Sequence, residues 1–351
     1  MIDKNIRIKP YFAVIAHTAD LIELRAGVWN HVSYTIQDDT NSGLLYQFIK
    51  ALDGSRSLYE IAKSLEMPRS EAEGIIDYLL QLNVLEDATS TAFDYFTDIY
   101  TPAFKFKQRE FEATKNQKIY IISESTLADE IKKNLQDKAL LANIEIIDAQ
   151  HELYQLLSNN DSSWMHNALL FEEMILNFEV LKDGFIVMAL ENINPIFIKK
   201  FNRIATSLKI PWIHAAIDGP FIFIGPLFES QKTACYECFE TRISMNLREY
   251  SSYQKYKSAI VENKVLKNSE FPMRGVLNSL MISHLTMEIL NFALTGCSFT
   301  KNKVLSIYLP SMEITFNEFL KVSTCQNCGS FPQRDDHQLY FDVQGLLKEV
   351  Q

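Results

Sequence analysis

The sequence is poor in the residues that mark secreted, collagen-like or low-complexity chains. Its 351 residues include 5 cysteines, 11 glycines and 10 prolines, which excludes a disulfide framework and a repetitive Gly/Pro composition. No apolar run approaches the ~20 residues that a membrane span requires. The first ten residues, MIDKNIRIKP, lack the apolar core of a signal peptide. We therefore expect a cytoplasmic, globular protein.

Positive charge is also in the minority. The chain carries 34 Lys and Arg against 44 Asp and Glu, a net charge of −10. A field of this sign repels nucleic acids and anionic membrane surfaces, so neither is expected as a partner. Peptides or small molecules are favoured instead.

The first 95 residues predict a small domain of three strands followed by three helices. The strands are YFAVIAHT (11–18), DLIELR (20–25) and HVSYTIQ (31–37), each bounded by turn residues. Three stretches with helical spacing of apolar residues follow. Ser57 with Glu60 and Ser70 with Glu73 have capping-box spacing, which predicts the starts of the second and third helices. This order is typical of a winged-helix-like unit.

Residues 96–117 have no clear period and are expected to form a linker, and residues 118–351 predict an α/β domain. KIYIIS (118–123), NIEIIDA (143–149) and FIVMAL (185–190) are typical of buried parallel strands. Two more strands surround the turn at Asp218 and Gly219. A long amphipathic helix is expected over 276–296, followed by a hairpin made of VLSIYLP and MEITFNEF.

Four of the five cysteines form two C-x-x-C pairs, Cys235 with Cys238 and Cys325 with Cys328. Two such pairs can complete the tetrahedral sulfur site of a structural zinc ion, which ties the C-terminal part to the domain body. Free thiols or two local redox disulfides are the alternatives. Cys297 has no partner in this pattern and is expected to be a buried or half-buried small apolar residue at a helix end, without a chemical role.

The second domain resembles the ThiF/MoeB-type, ubiquitin-activating-like superfamily. The resemblance is carried by IPWIHAAIDGPF, FIGPLF and TACYECF between residues 210 and 239, by SLMISHLTMEILNFALTG, and by CQNCG at 325–329. It implies a Rossmann-type fold, a structural zinc on the four cysteines and a homodimer.

Two features of the sequence argue against ATP use. Adenylating members of the superfamily have a glycine-rich turn after the first strand, where this chain has SESTLAD, and no glycine occurs between Gly74 and Gly184. The resemblance would place nucleotide contacts at Asp148, Glu191 and Asn192. Solvated carboxylates at loop ends are the alternative for Asp148 and Glu191. His214 is expected to be a packed strand residue.

The first domain is unsuited to DNA, because residues 1–95 contain eight Lys and Arg against fourteen Asp and Glu. Fused to a ThiF-like domain, it resembles the PqqD-like element that recognises precursor peptides in ribosomal peptide natural-product biosynthesis. The resemblance implies that a leader peptide adds as a strand beside residues 31–37. The implied peptide-binding residues are Val32, Tyr34, Ile36, Ile75, Tyr78, Leu79 and Leu82, although many of them would also suit the domain core.

Together these resemblances imply the leader-binding subunit of thiazole/oxazole-forming, microcin B-type bacteriocin maturation. Such a subunit is not itself catalytic. It presents the core peptide to a YcaO-type cyclodehydratase, which makes azolines. The alternative is an ATP-dependent enzyme, similar to those of microcin C or pantocin maturation, that adenylates or cyclises the peptide itself. A third possibility is an acidic winged-helix regulator with a ligand-sensing domain.

Overall fold

The structure is a computed structural model with side chains, and it divides into two compact units, Met1–Phe104 and Lys105–Gln351. It describes residues 5–29, 32–88, 118–123, 126–136, 141, 143–262, 264 and 273–329. The predicted linker, 96–117, lies outside these residues. Each unit is described by itself below.

Within its described residues, the first unit contains two three-stranded antiparallel sheets and three helices. Its elements are β1 (Asn5–Ile8), β2 (Phe12–Ala16), β3 (Leu21–Ala26), β4 (Ser33–Gln37), α1 (Leu45–Ala51), β5 (Asp53–Ser57), α2 (Leu58–Ser64), α3 (Arg69–Gln81) and β6 (Leu85–Asp87). One sheet has the strand order β2-β3-β4, as the alternating sequence predicts. The other, β5-β1-β6, joins three short strands that are distant in sequence. Its pairing could not be predicted from local patterns.

An apolar core joins the β2-β3-β4 sheet to the helices of the first unit. Ile22 and Leu24 of β3, Phe48 of α1, Ile61 of α2 and Leu79 of α3 are all fully buried in one cluster. Their burial is the main stabilising term for this unit, because apolar area removed from water contributes about 25 cal/mol per Å².

The two predicted helix caps have different outcomes. Ser57 caps α2 in a full capping box, in which its backbone N–H donates to Glu60 Oε2 at 2.9 Å. The box predicted at Ser70 is wrong. A cap at Ser70 implies a helix that begins at Glu71, but α3 begins two residues earlier, at Arg69, and Pro68 stands at its cap without a side-chain hydrogen bond. Glu73 instead accepts a hydrogen bond from Arg69 Nε at 2.9 Å. The carboxylate of Glu73, which the capping box at Ser70 required, therefore forms an i,i+4 ion pair with Arg69 instead.

We therefore expect Ser57→Ala to lower the free energy of unfolding by about 1 kcal/mol, since it removes a cap. Ser70→Ala is expected to change it by less than about 0.5 kcal/mol, since Ser70 caps nothing. Urea titration followed by far-UV circular dichroism measures both values. Equal effects of the two substitutions would contradict this assignment.

The second unit is a mixed α/β structure built on one seven-stranded sheet. Its strands are β7 (Ile119–Ile122), β8 (Ile144–Ile147), β9 (Phe185–Leu190), β10 (Trp212–Asp218), β11 (Phe221–Phe228), β12 (Lys303–Tyr308) and β13 (Glu313–Glu318), in the order β13-β12-β11-β10-β9-β7-β8. The four strands β8, β7, β9 and β10, which are neighbours in the sheet, are parallel to one another. Strands β11, β12 and β13 are each antiparallel to their neighbours. The predicted strands and the C-terminal hairpin are thus confirmed.

Seven α-helices of this unit lie within the described residues. They are α4 (Leu127–Gln136), α5 (Glu152–Ser158), α6 (Ala168–Phe178), α7 (Pro195–Leu208), α8 (Tyr236–Asn246), α9 (Tyr250–Val261) and α10 (Arg274–Thr295). The long predicted helix is α10, which ends at Gly296 in the left-handed conformation. Among the described helices, none combines the length and apolarity that crossing a bilayer requires.

Buried polar groups fasten α10 and α7 to their surroundings. Glu288 of α10 is 5 % exposed, and its Oε2 accepts hydrogen bonds from Ser298 Oγ at 2.6 Å and from Thr300 N at 3.1 Å. Lys200 of α7 donates to the carbonyls of Leu157 and Asn159 at the end of α5. Burial lowers the pKa of Lys200, but the carbonyls of a helix end still favour its charged form.

Candidate functional site

The four cysteines of the two C-x-x-C pairs meet in the second unit, although 90 residues of sequence separate Cys235 from Cys325. Their sulfur atoms all lie within 4.8 Å of one another. The Cys235–Cys325 and Cys238–Cys328 sulfur distances are 3.6 and 3.4 Å. Within the first pair the Cys235–Cys238 sulfur distance is 4.0 Å, which is too long for a disulfide bond, and all four residues are free cysteines. The alternative of two local disulfides is therefore wrong for this structure.

The first cysteine pair lies at the start of α8. Cys235 is the N-cap residue of the helix, and Cys238 lies in its first turn. Two asparagine side chains hold the backbone here, as Asn302 Oδ1 accepts from Ala234 N at 3.0 Å and Asn202 Oδ1 accepts from Tyr236 N at 2.9 Å. The positive end of the helix dipole favours thiolates at these positions.

The second cysteine pair lies in a tight turn that requires a glycine. The N–H of Gly329 donates to the carbonyl oxygen of Cys325 at 2.8 Å. A Cβ atom on Gly329 would lie 2.4 Å from that same oxygen, so any other residue would clash. Asn327 Nδ2 donates to Thr206 Oγ1 of α7 at 2.8 Å, which attaches the turn to the domain body.

The donor set fits a tetrahedral metal ion. Four sulfurs bound at about 2.3 Å to one ion lie about 3.8 Å apart, and the observed distances are 3.4, 3.6 and 4.0 Å. Val322 N lies 3.2 Å from Cys238 Sγ and donates to it, as backbone amides do in thiolate sites. Hydrogen bonds from Cys235 and Cys328 lower the pKa of the Cys238 thiol. The cluster can therefore hold a metal ion, with no position left open for substrate.

The residues that the superfamily resemblance assigns to a nucleotide lie at the carboxyl ends of β8 and β9. Asp148 is exposed, and its Oδ1 accepts from Gln150 N at 3.0 Å in a local turn. Asn192 is also exposed. Glu191 is held more firmly, because its Oε2 lies 2.9 Å from a guanidinium nitrogen of Arg274 and its Oε1 accepts from Asn278 Nδ2 at 3.1 Å. Asp148 is therefore a solvated carboxylate at a loop end, as the alternative has it, whereas the same alternative is wrong for Glu191.

His214 is a buried residue of β10, as expected from its place in an apolar strand. Its side chain is 2 % exposed, and its ring centroid lies 6.3 Å from that of Tyr236. Burial lowers the pKa of His214 to about 4. The ring is thus neutral near pH 7.

Among the described strands of the first unit, β4 forms an edge of the β2-β3-β4 sheet. Val32 O accepts from Ala26 N at 3.1 Å, and Asp38 N donates to Asp20 O at 2.9 Å. Because backbone groups alternate in direction along an antiparallel strand, the groups of the intervening odd-numbered residues point away from β3. These residues are Ser33, Thr35 and Gln37. Immediately beyond β4, hydrogen bonds from Ser42 and Thr40 hold the pKa of Asp38 well below its usual range.

The predicted peptide-binding residues differ in their exposure. Ile36 and Leu79 are 7 % and 0 % exposed and belong to the core of the unit. Tyr34, Ile75 and Leu82 are partly buried against that core. Val32 is half-buried and Tyr78 is 45 % exposed.

Several residues that shape these sites carried no signal in the sequence. Arg274 and Asn278 lie more than 80 residues from Glu191 along the chain. Asn202 and Asn302 support the cysteine turn from α7 and from the start of β12, respectively. Only Gly329 could have been found, because it follows the second C-x-x-C pair directly.

Comparison with known proteins identifies a shared fold. No family model matches the chain, and no curated protein matches it in sequence. The structure is similar to that of the heterocyclase TruD, with a TM-score of 0.59 at 13% identity over 93% of this chain. For a heterocyclase in complex with substrate and cofactor the TM-score is 0.59, at 15% sequence identity over 93% of this chain. For MccB of E. coli the TM-score is 0.50, at 13% sequence identity, and the match covers 93% of this chain and 97% of the MccB chain. This chain spans only 43% and 40% of the two heterocyclase chains.

Proposed function

We propose that this chain binds the leader segment of a ribosomally made precursor peptide and presents the core segment for azoline formation. A separate YcaO-type cyclodehydratase would carry out the chemistry. The chain itself acts as a binding subunit of that complex. The proposal applies to the described parts of both units and depends chiefly on the free edge of β4.

The edge of β4 has what strand addition requires. The outward N–H and C=O groups of Ser33, Thr35 and Gln37 can pair with an extended peptide, and their side chains are exposed. Such pairing supplies affinity through the main chain and leaves specificity to alternate side chains of the peptide. An unpaired edge is a liability in a folded protein unless a partner uses it. This edge is the single observation that carries the proposal.

The resemblance to the peptide-recognition element adds helix α3 to the proposal, as the surface that the peptide side chains would contact. Ile75, Tyr78 and Leu82 follow each other at helical spacing, which places them on one face of the helix. Glu71 continues the same face one turn earlier. The face is therefore apolar with an acidic end, which suits a leader whose apolar side chains alternate and whose flank is basic.

The second unit supports a presenting role over ATP chemistry. The carboxylate of Glu191, in the position expected to face a nucleotide, is already neutralised by Arg274. The chain also spans less than half of the heterocyclase TruD.

We also infer that the ion held by the four cysteines is zinc. An all-thiolate, tetrahedral donor set favours Zn²⁺ among the common divalent ions. Cys235, Cys238, Cys325 and Cys328 would hold the ion, which supplies structural stability only.

We expect Thr35→Pro to weaken leader binding at least about tenfold, because it removes an outward N–H group and blocks pairing. The probe is a fluorescein-labelled leader peptide, chosen by searching the neighbouring genes for a short precursor, and it is titrated into the full chain. Val14→Pro is the matched control, because Val14 points its backbone outward from β2, the opposite edge of the same sheet. It is expected to leave the affinity unchanged.

The emission of Trp29 provides a second readout. Trp29 is 98 % exposed in the turn after β3, whereas Trp164 and Trp212 are 4 % and 2 % exposed. Absence of saturable binding, or equal losses for Thr35→Pro and Val14→Pro, would contradict the proposal. ATP–pyrophosphate exchange by the purified chain with its peptide would support the adenylating alternative instead.

A further inference from the structure

The connection between β3 and β4 of the first unit exposes two large apolar side chains. Val28 is 75 % exposed and Trp29 is 98 % exposed, so neither side chain belongs to the core of the unit. Tryptophan has one of the largest apolar surfaces of any side chain, and it is enriched among the residues that dominate binding free energies. A partner that covers this pair, which we call the loop tip, would therefore remove a large apolar area from water.

Hydrogen bonds from Arg25 hold the backbone of the loop tip. Arg25 Nε donates to the carbonyl oxygen of Gly27 at 3.2 Å, and Arg25 Nη2 donates to that of Val28 at 3.1 Å. The same guanidinium lies 3.4 Å from Glu23 Oε1, so its charge is compensated within the unit, and the two residues of the loop tip are themselves uncharged. Because the backbone is already ordered here, little conformational entropy is lost when a partner binds.

The loop tip is continuous with the edge of β4. Ala26 N donates to Val32 O at 3.1 Å, and Trp29 lies midway between these two residues along the chain. The outward groups of β4 begin directly afterwards, at Ser33. Because an extended chain advances about 3.3 Å per residue, a peptide that pairs along β4 and continues about two or three residues beyond Ser33 lies alongside the loop tip. The β2-β3-β4 sheet is antiparallel throughout, and an antiparallel peptide reaches the loop tip with its carboxyl-terminal side.

We propose that the loop tip is a second contact site for the leader peptide, and that it selects a large apolar side chain about two or three residues after the segment that pairs with β4. The inference rests on the leader binding proposed above, because the peptide reaches the loop tip only by pairing with that edge. Main-chain pairing by itself accepts many sequences, so this contact adds specificity. An apolar residue buries area against Trp29, whereas a carboxylate there would lose hydration without gaining a counter-charge, since Arg25 is bound to Glu23.

Substitution of Trp29 in the full chain tests the contact, with the same labelled leader peptide as the probe. We expect Trp29→Ser to raise the dissociation constant at least about tenfold, and Trp29→Phe to raise it less than about threefold, because phenylalanine keeps most of the apolar area. Tyr59→Ser is the matched control, since Tyr59 of α2 is an aromatic residue of the same unit that is 57 % exposed. It should leave the affinity unchanged. A Phe variant as weak as the Ser variant would overturn selection by apolar area.

Shortening the peptide tests where the contact lies. Removing residues one at a time from the carboxyl-terminal end of the leader should abolish the difference between wild-type and Trp29→Ser chains, while the loss caused by Thr35→Pro persists. If trimming the amino-terminal end abolished that difference instead, the proposed position would be wrong. If the leader binds saturably and Trp29→Ser behaves like Tyr59→Ser, the contact at the loop tip is refuted while leader binding stands. If the wild-type chain does not bind the leader, both proposals fail.

Discussion

The Cys238→Ser variant is expected to lose the zinc ion proposed for the four-cysteine cluster and to unfold with a free energy lower by about 3–5 kcal/mol, since metal affinity at a structural site contributes directly to folding. Cys238 is 0 % exposed and contacts sulfur atoms from both pairs. Metal content after dialysis and thermal unfolding measure the two effects. Without the ion, limited proteolysis should first release the chain after β13, because Cys325 and Cys328 then lose their link to α8.

Cys297→Ser is the matched control for this prediction. The expected burial of Cys297 is wrong, because the residue is exposed just after Gly296, which ends α10. It also lies outside the sulfur cluster, so the variant should keep one zinc per chain and its thermal stability. A Cys238→Ser protein that retains stoichiometric zinc would refute the assignment. Wild-type protein that is purified without metal and is equally resistant to proteases would refute it as well.

Glu288→Ala is expected to lower the free energy of unfolding by about 3–5 kcal/mol, because it leaves several buried donors without an acceptor. These donors are Asn291 Nδ2, Ser298 Oγ, Thr300 N and Thr300 Oγ1, at 2.6–3.1 Å from the carboxylate. Chemical denaturation followed by circular dichroism measures the loss. Thr300 also packs against Gly225, where an added Cβ would lie 2.5 Å from Thr300 Cβ, so this region cannot relax easily.

Glu318→Ala provides a comparison between a surface and a buried carboxylate. The Glu318 side chain is 71 % exposed and bridges Lys303 at 2.8 Å. Exposed ion pairs contribute about 0–1 kcal/mol, so its loss should change stability by no more than that. If Glu288→Ala were as mild as Glu318→Ala, the buried network would not be a stabilising tie between α10 and β12.

The predictions that came from local sequence patterns correspond closely to the structure. Alternation of apolar residues located β2, β3 and β4, and continuous apolar runs located β7 to β9, because side-chain direction repeats within a few residues. The cap at Ser57 was also predictable. The cap at Ser70 was not, because Arg69 competes for the carboxylate of Glu73, and the pattern alone does not rank the two interactions.

The sites were predictable only in part, for the same reason. The cysteine spacing indicated a four-sulfur cluster without indicating Asn202, Asn302 or Val322, which hold its backbone. The carboxylate of Glu191 was expected at a loop end, but its partner Arg274 could not be found, since no sequence rule joins residues 83 positions apart. The exposure of Tyr78 and the burial of Leu79, neighbours on one helix, also required the packed domain.

The cysteines illustrate the difference between what the sequence determines and what only the tertiary structure decides. The sequence by itself determined that two C-x-x-C pairs exist, that each can direct two thiols to one point, and that a glycine follows the second pair. Only the tertiary structure decided that both pairs meet, because β11, α8 and the segment after β13 must first pack around the end of one sheet. Ligand spacing is a local property of the chain, whereas a shared ion requires long-range folding to bring distant ligands within a few ångströms.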